Sequence, residues 1–331
     1  MRLSVAFWGA SKRREPRAVS ETLVVPSDVL RQVRRLELRT RRLVDSQFSG
    51  DYRSLFKGQG MEFAEVREYQ PGDEVRTIDW NVSARMGRPF VKRYVEEREL
   101  TVMLALDVSG SSQFGTGARF KSEVAAELVA VLALAAVRNN DRVGLLCFSD
   151  RVEHAVPPRK GRRHALRVLR DLLAIQPVGR RTDYAIALER LGRLLPHRSV
   201  VFVCSDFVGD ALEGPLTRLA QRHDVIALTI EDPAELTLPD VGAARLMDPE
   251  SGDVVDVDTS DPEVRAWFAE QIAREQQTRQ KLFGRLGIDE VLVRTDTGYV
   301  EPLLEFFRAR ARRAHGAVRT AVRPNAKPSA A

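Results

Sequence analysis

Five short runs of apolar and β-branched residues punctuate the chain from residue 100 onward: Leu100–Leu106 (LTVMLAL), Arg142–Phe148 (RVGLLCF), Ser199–Cys204 (SVVFVC), Asp224–Ile230 (DVIALTI) and Asp289–Arg294 (DEVLVR). Each is too short for a helix and mostly too continuous for a half-exposed strand, so they read as strands buried on both faces. The stretches between them carry apolar positions at helical spacing, over about Lys121–Arg138, His164–Ile175, Asp183–Leu195, Leu212–Arg222 and Pro262–Leu286, with Glu301–Arg313 after the last strand. Val152–Val156 is placed to pair with the second run. This alternation predicts an α/β fold, a mostly parallel sheet with helices on both faces. Pro249-Glu-Ser-Gly252 lies between Ala244–Met247 and Val254–Val257 and predicts a hairpin inserted near 240–258.

Upstream the texture differs. Ser27–Leu43 (SDVLRQVRRLELRTRRL) puts Val29, Leu30, Val33, Leu36, Leu38 and Leu43 near helical spacing, with arginines opposite and Ser27 or Asp28 as cap. Such a helix is expected to pack on its own domain. Residues Gly50–Glu99 are rich in Gly, Arg and aromatics, with strand-like pieces such as Arg88–Tyr94. The expected division is an irregular basic N-terminus (1–26), a helix and irregular β-containing extension (27–98), the α/β domain (99–313) and a disordered basic tail (314–331).

Composition narrows the class. A chain of 331 residues with 44% hydrophobic content can bury a full core. No run approaches the roughly 18–20 apolar residues that cross a bilayer. The most apolar stretch, Val124–Val137, is interrupted by Glu127 and reads as a buried helix. Met1–Ala10 is not followed by a signal-cleavage pattern. The two cysteines, Cys147 and Cys204, sit inside apolar runs without a CxxC pair, so they read as small buried hydrophobes of a cytoplasmic protein. The net charge of +6 is uneven: residues 1–50 carry 11 basic and 5 acidic groups, 308–331 carry 7 basic and none acidic, and the 257 residues between sum to −7. A mildly acidic body argues against a specific nucleic-acid groove. The basic ends leave peripheral attraction to an anionic membrane or to RNA as the alternative role.

In an open α/β sheet, ligands collect at the carboxyl ends of the strands. After the first strand comes Asp107-Val-Ser109-Gly-Ser111. After the loop Pro177–Arg181 comes Thr182, and after the strand ending at Cys204 comes Ser205-Asp206. In an extended loop residues i, i+2 and i+4 project alike, so Asp107, Ser109 and Ser111 can present oxygens to one centre. Hard oxygen donors suit a divalent cation, Mg²⁺ first, with Mn²⁺ or Ca²⁺ also compatible. Two carboxylates among hydroxyls leave such a cation electrophilic, open to a Glu or Asp from a protein partner. That is binding chemistry before catalysis.

The set Asp107, Ser109, Ser111, Thr182 and Asp206 resembles the metal-ion-dependent adhesion site of von Willebrand factor A domains. The preceding segment is similar to the bacterial family called domain of unknown function 58: Gly60-Met-Glu62-Phe63, Glu65-Val-Arg67-Glu-Tyr69, Pro71-Gly72-Asp73, Arg76-Thr-Ile78-Asp79-Trp80, Ser83-Ala84-Arg85 and Val91-Lys-Arg93-Tyr94. The resemblance covers about residues 30–310 and implies a von Willebrand A-like (Rossmann-type) fold. Such proteins are typically encoded beside MoxR-type AAA+ ATPases, which implies an adaptor in remodelling or maturing protein complexes. Two departures from the family pattern matter. Ser111-Ser112-Gln113 stands where Ser-Met is commoner, leaving Ser111 or Ser112 as third ligand, and Arg180-Arg181 precedes Thr182 where small residues are usual. Asp73, Arg76, Asp79 and Arg85 are expected to form an ion-pair lattice holding Trp80, or else a docking face beside the cation.

Enzyme readings fare worse, and no catalytic residue is assigned. Gly115-Thr-Gly-Ala-Arg-Phe-Lys121-Ser122 lacks the Gly that a phosphate-cradling loop requires immediately before its Lys. The histidines (His154, His164, His197, His223, His315) are scattered, with no serine elbow beside them. A metal-dependent hydrolase would want more carboxylates; Asp183 is the one extra candidate and reads as a first-turn acid of its helix.

Overall fold

The computed structural model describes residues 27–48, 52, 62–95, 99–117, 119–209 and 212–321. The irregular N-terminus expected over 1–26 lies outside them. Helix α1 (Ser27–Leu43) opens the described chain. Its inward stripe is Val29, Val33, Leu36 and Leu43, spaced by four, three and seven residues. Leu30 and Leu38 are 50% and 65% exposed, because each lies one or two 100° steps off that stripe. Arg39 on α1 pairs with Glu127 at 2.8 Å, and the helix packs on its own domain as expected.

Strands β1 (Glu62–Glu68) and β2 (Phe90–Val95) pair antiparallel, with the short helix α2 (Trp80–Met86) falling between them in sequence. The main domain then runs β3 (Thr101–Asp107), α3 (Lys121–Arg138), β4 (Arg142–Phe148), β5 (Val152–Arg159), α4 (Arg162–Ala174), α5 (Tyr184–Leu194), β6 (Val200–Ser205), α6 (Glu213–Arg222), β7 (Asp224–Glu231), the single turn α7 (Pro233–Leu236), the hairpin β8 (Ala243–Met247) and β9 (Val254–Asp258), α8 (Pro262–Leu286), β10 (Asp289–Arg294) and α9 (Val300–Ala321). Helix α9 continues past the Arg313 boundary that the sequence suggested, to Ala321.

Six strands form one sheet in the order β10-β7-β6-β3-β4-β5. All neighbours are parallel except the edge strand β5, which runs antiparallel to β4. Side chains of β3 alternate between two cores, as a strand's period of two requires. Val102, Leu104 and Leu106 join Leu128, Val168 and Phe307, from α3, α4 and α9, on one face. Met103 and Ala105 join Leu188, Leu216 and Phe283, from α5, α6 and α8, on the other. The strands are therefore covered on both sides, which is why they read as unbroken apolar runs.

Strand order reverses beside β3. The chain leaves β3 through α3 to β4 on one side, and later returns to lay β6 against the other side. Loops after β3 and β6 thus diverge and open a crevice at the carboxyl edge, the usual place for a ligand in such sheets. Two accessories border it. The hairpin rests on α8 through Leu246 and Phe268, and α8 is held to the sheet by Arg279, which pairs with Glu231 at 2.8 Å and Glu290 at 2.9 Å. Glu231 is buried and Arg279 is largely enclosed beside it, so removing the arginine leaves a poorly solvated carboxylate. Arg279→Ala is expected to cost about 3–5 kcal/mol, read as a lowered urea midpoint; a loss below about 1 kcal/mol would mean that α8 does not depend on this pair.

Candidate functional site

The site is assembled by three loops, each fixed by its own backbone. After β3 the chain makes an Asx-type turn: Ser109 N–H donates to Asp107 Oδ1 at 2.9 Å. A short 3₁₀ turn over Gly110–Gln113 follows. Ser111 Oγ lies 3.1 Å from Ser109 Oγ, and both serines are buried. The Ser112 hydroxyl donates to the Ser109 carbonyl at 2.7 Å. Both Ser111 and Ser112 line the small cavity between Asp107 and Asp206, with the Ser112 hydroxyl engaged by the backbone and that of Ser111 by Ser109.

The second loop leads into α5. Gly179 N–H donates to Glu153 Oε1 at 2.7 Å, and a Cβ at Gly179 would stand 2.1 Å from Ser149 Oγ, so the loop lies flat against the end of β4. Asp183, expected as a first-turn acid, is instead the N-cap of α5, accepting from the N–H groups of Ala185 and Ile186. Thr182 then places Oγ1 3.3 Å from Asp107 Oδ2. The side chains of Arg180 and Arg181 are exposed; what enters the site from this pair is the Arg180 carbonyl, which accepts from Gly110 N–H at 2.8 Å.

The third loop follows β6. Ser205 Oγ donates to Asp107 Oδ2 at 2.7 Å and lies 2.9 Å from the Tyr184 hydroxyl. Asp206 Oδ1 accepts from Val208 N–H at 3.2 Å. Between them Phe207 holds φ 54°, a left-handed conformation uncommon for a bulky residue. Its ring stacks on Tyr184 and meets Phe283 edge-on, so packing supplies what the strained backbone costs.

The electrostatics follow from two acids buried together. Burial pushes Asp107 up to about 6, and the Asp206 charge adds to this, against hydrogen bonds from Ser109 and Ser205. Burial acts on Asp206 in the same direction, but the Lys121 ammonium together with hydrogen bonds from Val208 N–H and Ser111 offsets it, and that carboxyl sits below the usual range. Lys121 Nζ lies 3.2 Å from Asp206 Oδ2 and 2.9 Å from Glu235 Oε1. Lys121 is only 3% exposed. Glu235 remains raised by burial despite this ammonium. Glu250, at the hairpin tip, accepts from Thr182 Oγ1 at 2.9 Å. The edge opens into a cleft of about 740 Å³ bordered by Ser111, Thr182, Asp206, Glu250 and Trp267.

All five residues singled out in the sequence therefore meet at one crevice. Among the described residues, no three His, Cys, Asp or Glu cluster as a metal-binding group. Asp107 and Asp206 are the two acids at the centre, with hydroxyls and backbone completing the donor set and Glu235 and Glu250 at the border. That set fits a hard, oxygen-seeking cation and not a thiolate- or imidazole-loving one. Four acids against one lysine also leave the crevice short of positive charge.

Comparison with known proteins follows the same lines. The family described as "Protein of unknown function DUF58" matches residues 65–278. Uncharacterized proteins of Mycobacterium tuberculosis and Mycobacterium bovis are 35% identical over 283 residues, 85% of this chain and 89% of theirs. The chain belongs to the DUF58 family. Among solved structures, BatB of Bacteroides thetaiotaomicron is similar at 19% identity and a TM-score of 0.41, covering 64% of this chain and 99% of that one. The SpRpn10 VWA domain is similar at 17% identity and a TM-score of 0.34, covering 41% and 78%.

The DUF58 signature segment shows these contacts among its described side chains. Asp73 pairs with Arg67 at 2.7 Å, and Asp79 caps α2 through Asn81 and Val82 N–H. Arg85 is exposed in the last turn of α2, and the side chain of Arg76 lies outside the described set. Trp80 is not enclosed; it is 69% exposed. In this DUF58 chain sequence reading also missed Lys121, Ser205, Glu235 and Glu250. Only Ser205 carried a legible signal, its position beside Asp206 at a strand end.

Proposed function

We propose that this DUF58 protein is a non-catalytic, divalent-cation-dependent protein-binding adaptor. The observation that carries the reading is the convergence of Asp107, Ser109, Ser111, Thr182 and Asp206 from three loops at the sheet's reversal point. Mg²⁺ would be held there by Asp107 and the hydroxyls, with Asp206 contributing charge. Few anionic donors leave the bound cation electrophilic, so it would recruit a carboxylate from a protein partner. Both cysteines are buried with thiols pushed up by burial, which disfavours the thiolate.

The finer assignment is to a cytoplasmic machine in which a MoxR-type AAA+ ATPase remodels or matures complexes that the adaptor delivers. Among the described residues no helix is long and apolar enough to cross a membrane, which is compatible with that location. The test is capture of partners from native lysate with and without Mg²⁺, comparing wild type with Asp107→Ala. Mg²⁺-dependent recovery of an AAA+ ATPase, lost in the variant, is expected. Identical recovery in all arms sinks the proposal.

A further inference from the structure

Thr182 Oγ1 has one proton and two carboxylate neighbours. Asp107 Oδ2 lies 3.3 Å away and Glu250 Oε1 2.9 Å away. A hydroxyl donates a single hydrogen bond, so with both acids ionised it cannot satisfy them at once. One contact then sets oxygen against oxygen with no proton between them, which a bound cation or a proton on either acid relieves. Glu250 lines the same cleft as Ser111, Thr182 and Asp206.

The turn that presents Glu250 is built for this approach. Glu250 N–H donates to Asp248 Oδ1 at 2.9 Å, Ser251 Oγ to Asp248 Oδ2 at 2.9 Å, and Gly252 N–H to the Asp248 carbonyl at 2.8 Å. Gly252 takes φ 77°, a left-handed value that a tight turn needs and glycine adopts freely. The same turn presses on the cation loop: a Cβ at Gly110 would meet the Pro249 carbonyl oxygen at 2.3 Å. Gly110, between Ser109 and Ser111, is thus the place where the hairpin backbone touches the loop directly. Two independent features, a bridging threonine and a glycine-sized seat, put Glu250 at the crevice.

Resting on the cation-binding reading above, we propose that Glu250 is a further ligand of the site, an internal carboxylate in the position that a partner's acid would otherwise take. The hairpin then serves as a built-in occupant. A partner carboxylate binds by displacing Glu250 from the cation, and the hairpin swings away from Gly110 as it does so. Specificity for a partner would lie in how well its acid and its flanking surface outcompete this tethered one.

Mn²⁺ alone is a sufficient probe on the full-length chain. Its affinity is read by electron paramagnetic resonance of the free ion, and its exchangeable waters by proton relaxation. Glu250→Gln keeps an oxygen to accept from Thr182, so the hairpin stays seated while the charge is lost. The expected result is Mn²⁺ binding weakened roughly tenfold or more, with one additional exchangeable water on the bound ion. Asp107→Ala should abolish binding. If Glu250→Gln binds Mn²⁺ as wild type does, with the same water count, while Asp107→Ala does not bind, the internal ligand is overturned and the cation site stands. If wild type does not bind Mn²⁺, or Asp107→Ala binds it equally well, the cation site falls and the internal ligand with it.

Discussion

Lys121→Met is expected to destabilise the protein by about 3–5 kcal/mol at pH 8, the cost of stranding buried carboxylates that had one cation between them. Lys121 Nζ touches both Asp206 and Glu235, and Met fills a comparable volume without charge. The deficit should depend on pH in a definite direction. In the variant, Asp206 loses the ammonium that now holds its carboxyl low, and burial raises it above its unfolded value. Glu235, raised already, rises further. The folded state then keeps protons that the unfolded state has released, so stability falls as pH rises through that interval and recovers towards acid. Urea midpoints at pH 5 and pH 8, with and without Mg²⁺, measure this. The gap between variant and wild type should narrow at pH 5, and should narrow again in saturating Mg²⁺, which replaces part of the missing charge. A gap that is the same at both pH values would mean that the acids are solvated and Lys121 is a packing residue only.

That prediction concerns a residue whose role the sequence concealed, and the reason is physical. Lys121 opens α3 in a Gly-rich stretch after a strand, where a lysine reads as a solvated first-turn residue or as a failed phosphate loop. Its partners, Asp206 and Glu235, lie 85 and 114 positions further on. Only the crossover from β3 to β6 brings them together, and no local pattern encodes such a meeting. Glu250 is hidden differently. Pro249-Glu-Ser-Gly252 reads as turn chemistry, which it is, and the side chain's destination depends on how the hairpin seats against Gly110. Arg279 is one of many charged residues on a long helix, and only its burial beside Glu231 distinguishes it.

The parts that could be read share a different property: their signal is local. Strands buried on both faces must be apolar throughout, so β3, β4, β6 and β7 stand out from any helical period. Asp107, Ser109 and Ser111 lie within five residues after such a strand, and Asp206 directly follows another. Knowing where strands end was therefore enough to place them on one edge. The Trp80 segment shows the limit. Its acids and arginines suggested mutual pairing; Asp79 caps the helix that follows it and Asp73 pairs with Arg67, six positions away, contacts that short range along the chain favours whatever the rest of the segment does. The 69% exposed indole is an outward-facing apolar surface, not a core anchor.

Asp107→Asn should stabilise the cation-free protein while abolishing its affinity for Mg²⁺, an inversion that separates a binding residue from a structural one. Burial and the neighbouring Asp206 raise Asp107 to about 6 from an ordinary 3.8. Between those two values the folded chain retains a proton that the unfolded chain has lost, so wild-type stability declines as pH rises from about 4 to 6 and stays lower above that. A shift of about two units corresponds to roughly 3 kcal/mol. The amide carries no charge and escapes this penalty, though it must exchange an accepted hydrogen bond from Ser205 for a donated one, so a net gain of about 1–2 kcal/mol is expected at pH 7.5 in EDTA. Below pH 4 the two proteins should be alike. Saturating Mg²⁺ reverses the order, because only wild type gains the binding free energy, about 2.7 kcal/mol at a hundredfold excess over Kd. Thermal melts across pH 4–8, in EDTA and in Mg²⁺, read all of these. An amide variant less stable than wild type in EDTA at pH 7.5, or shifted equally by Mg²⁺, would make Asp107 a structural acid and remove the basis for a cation at this edge.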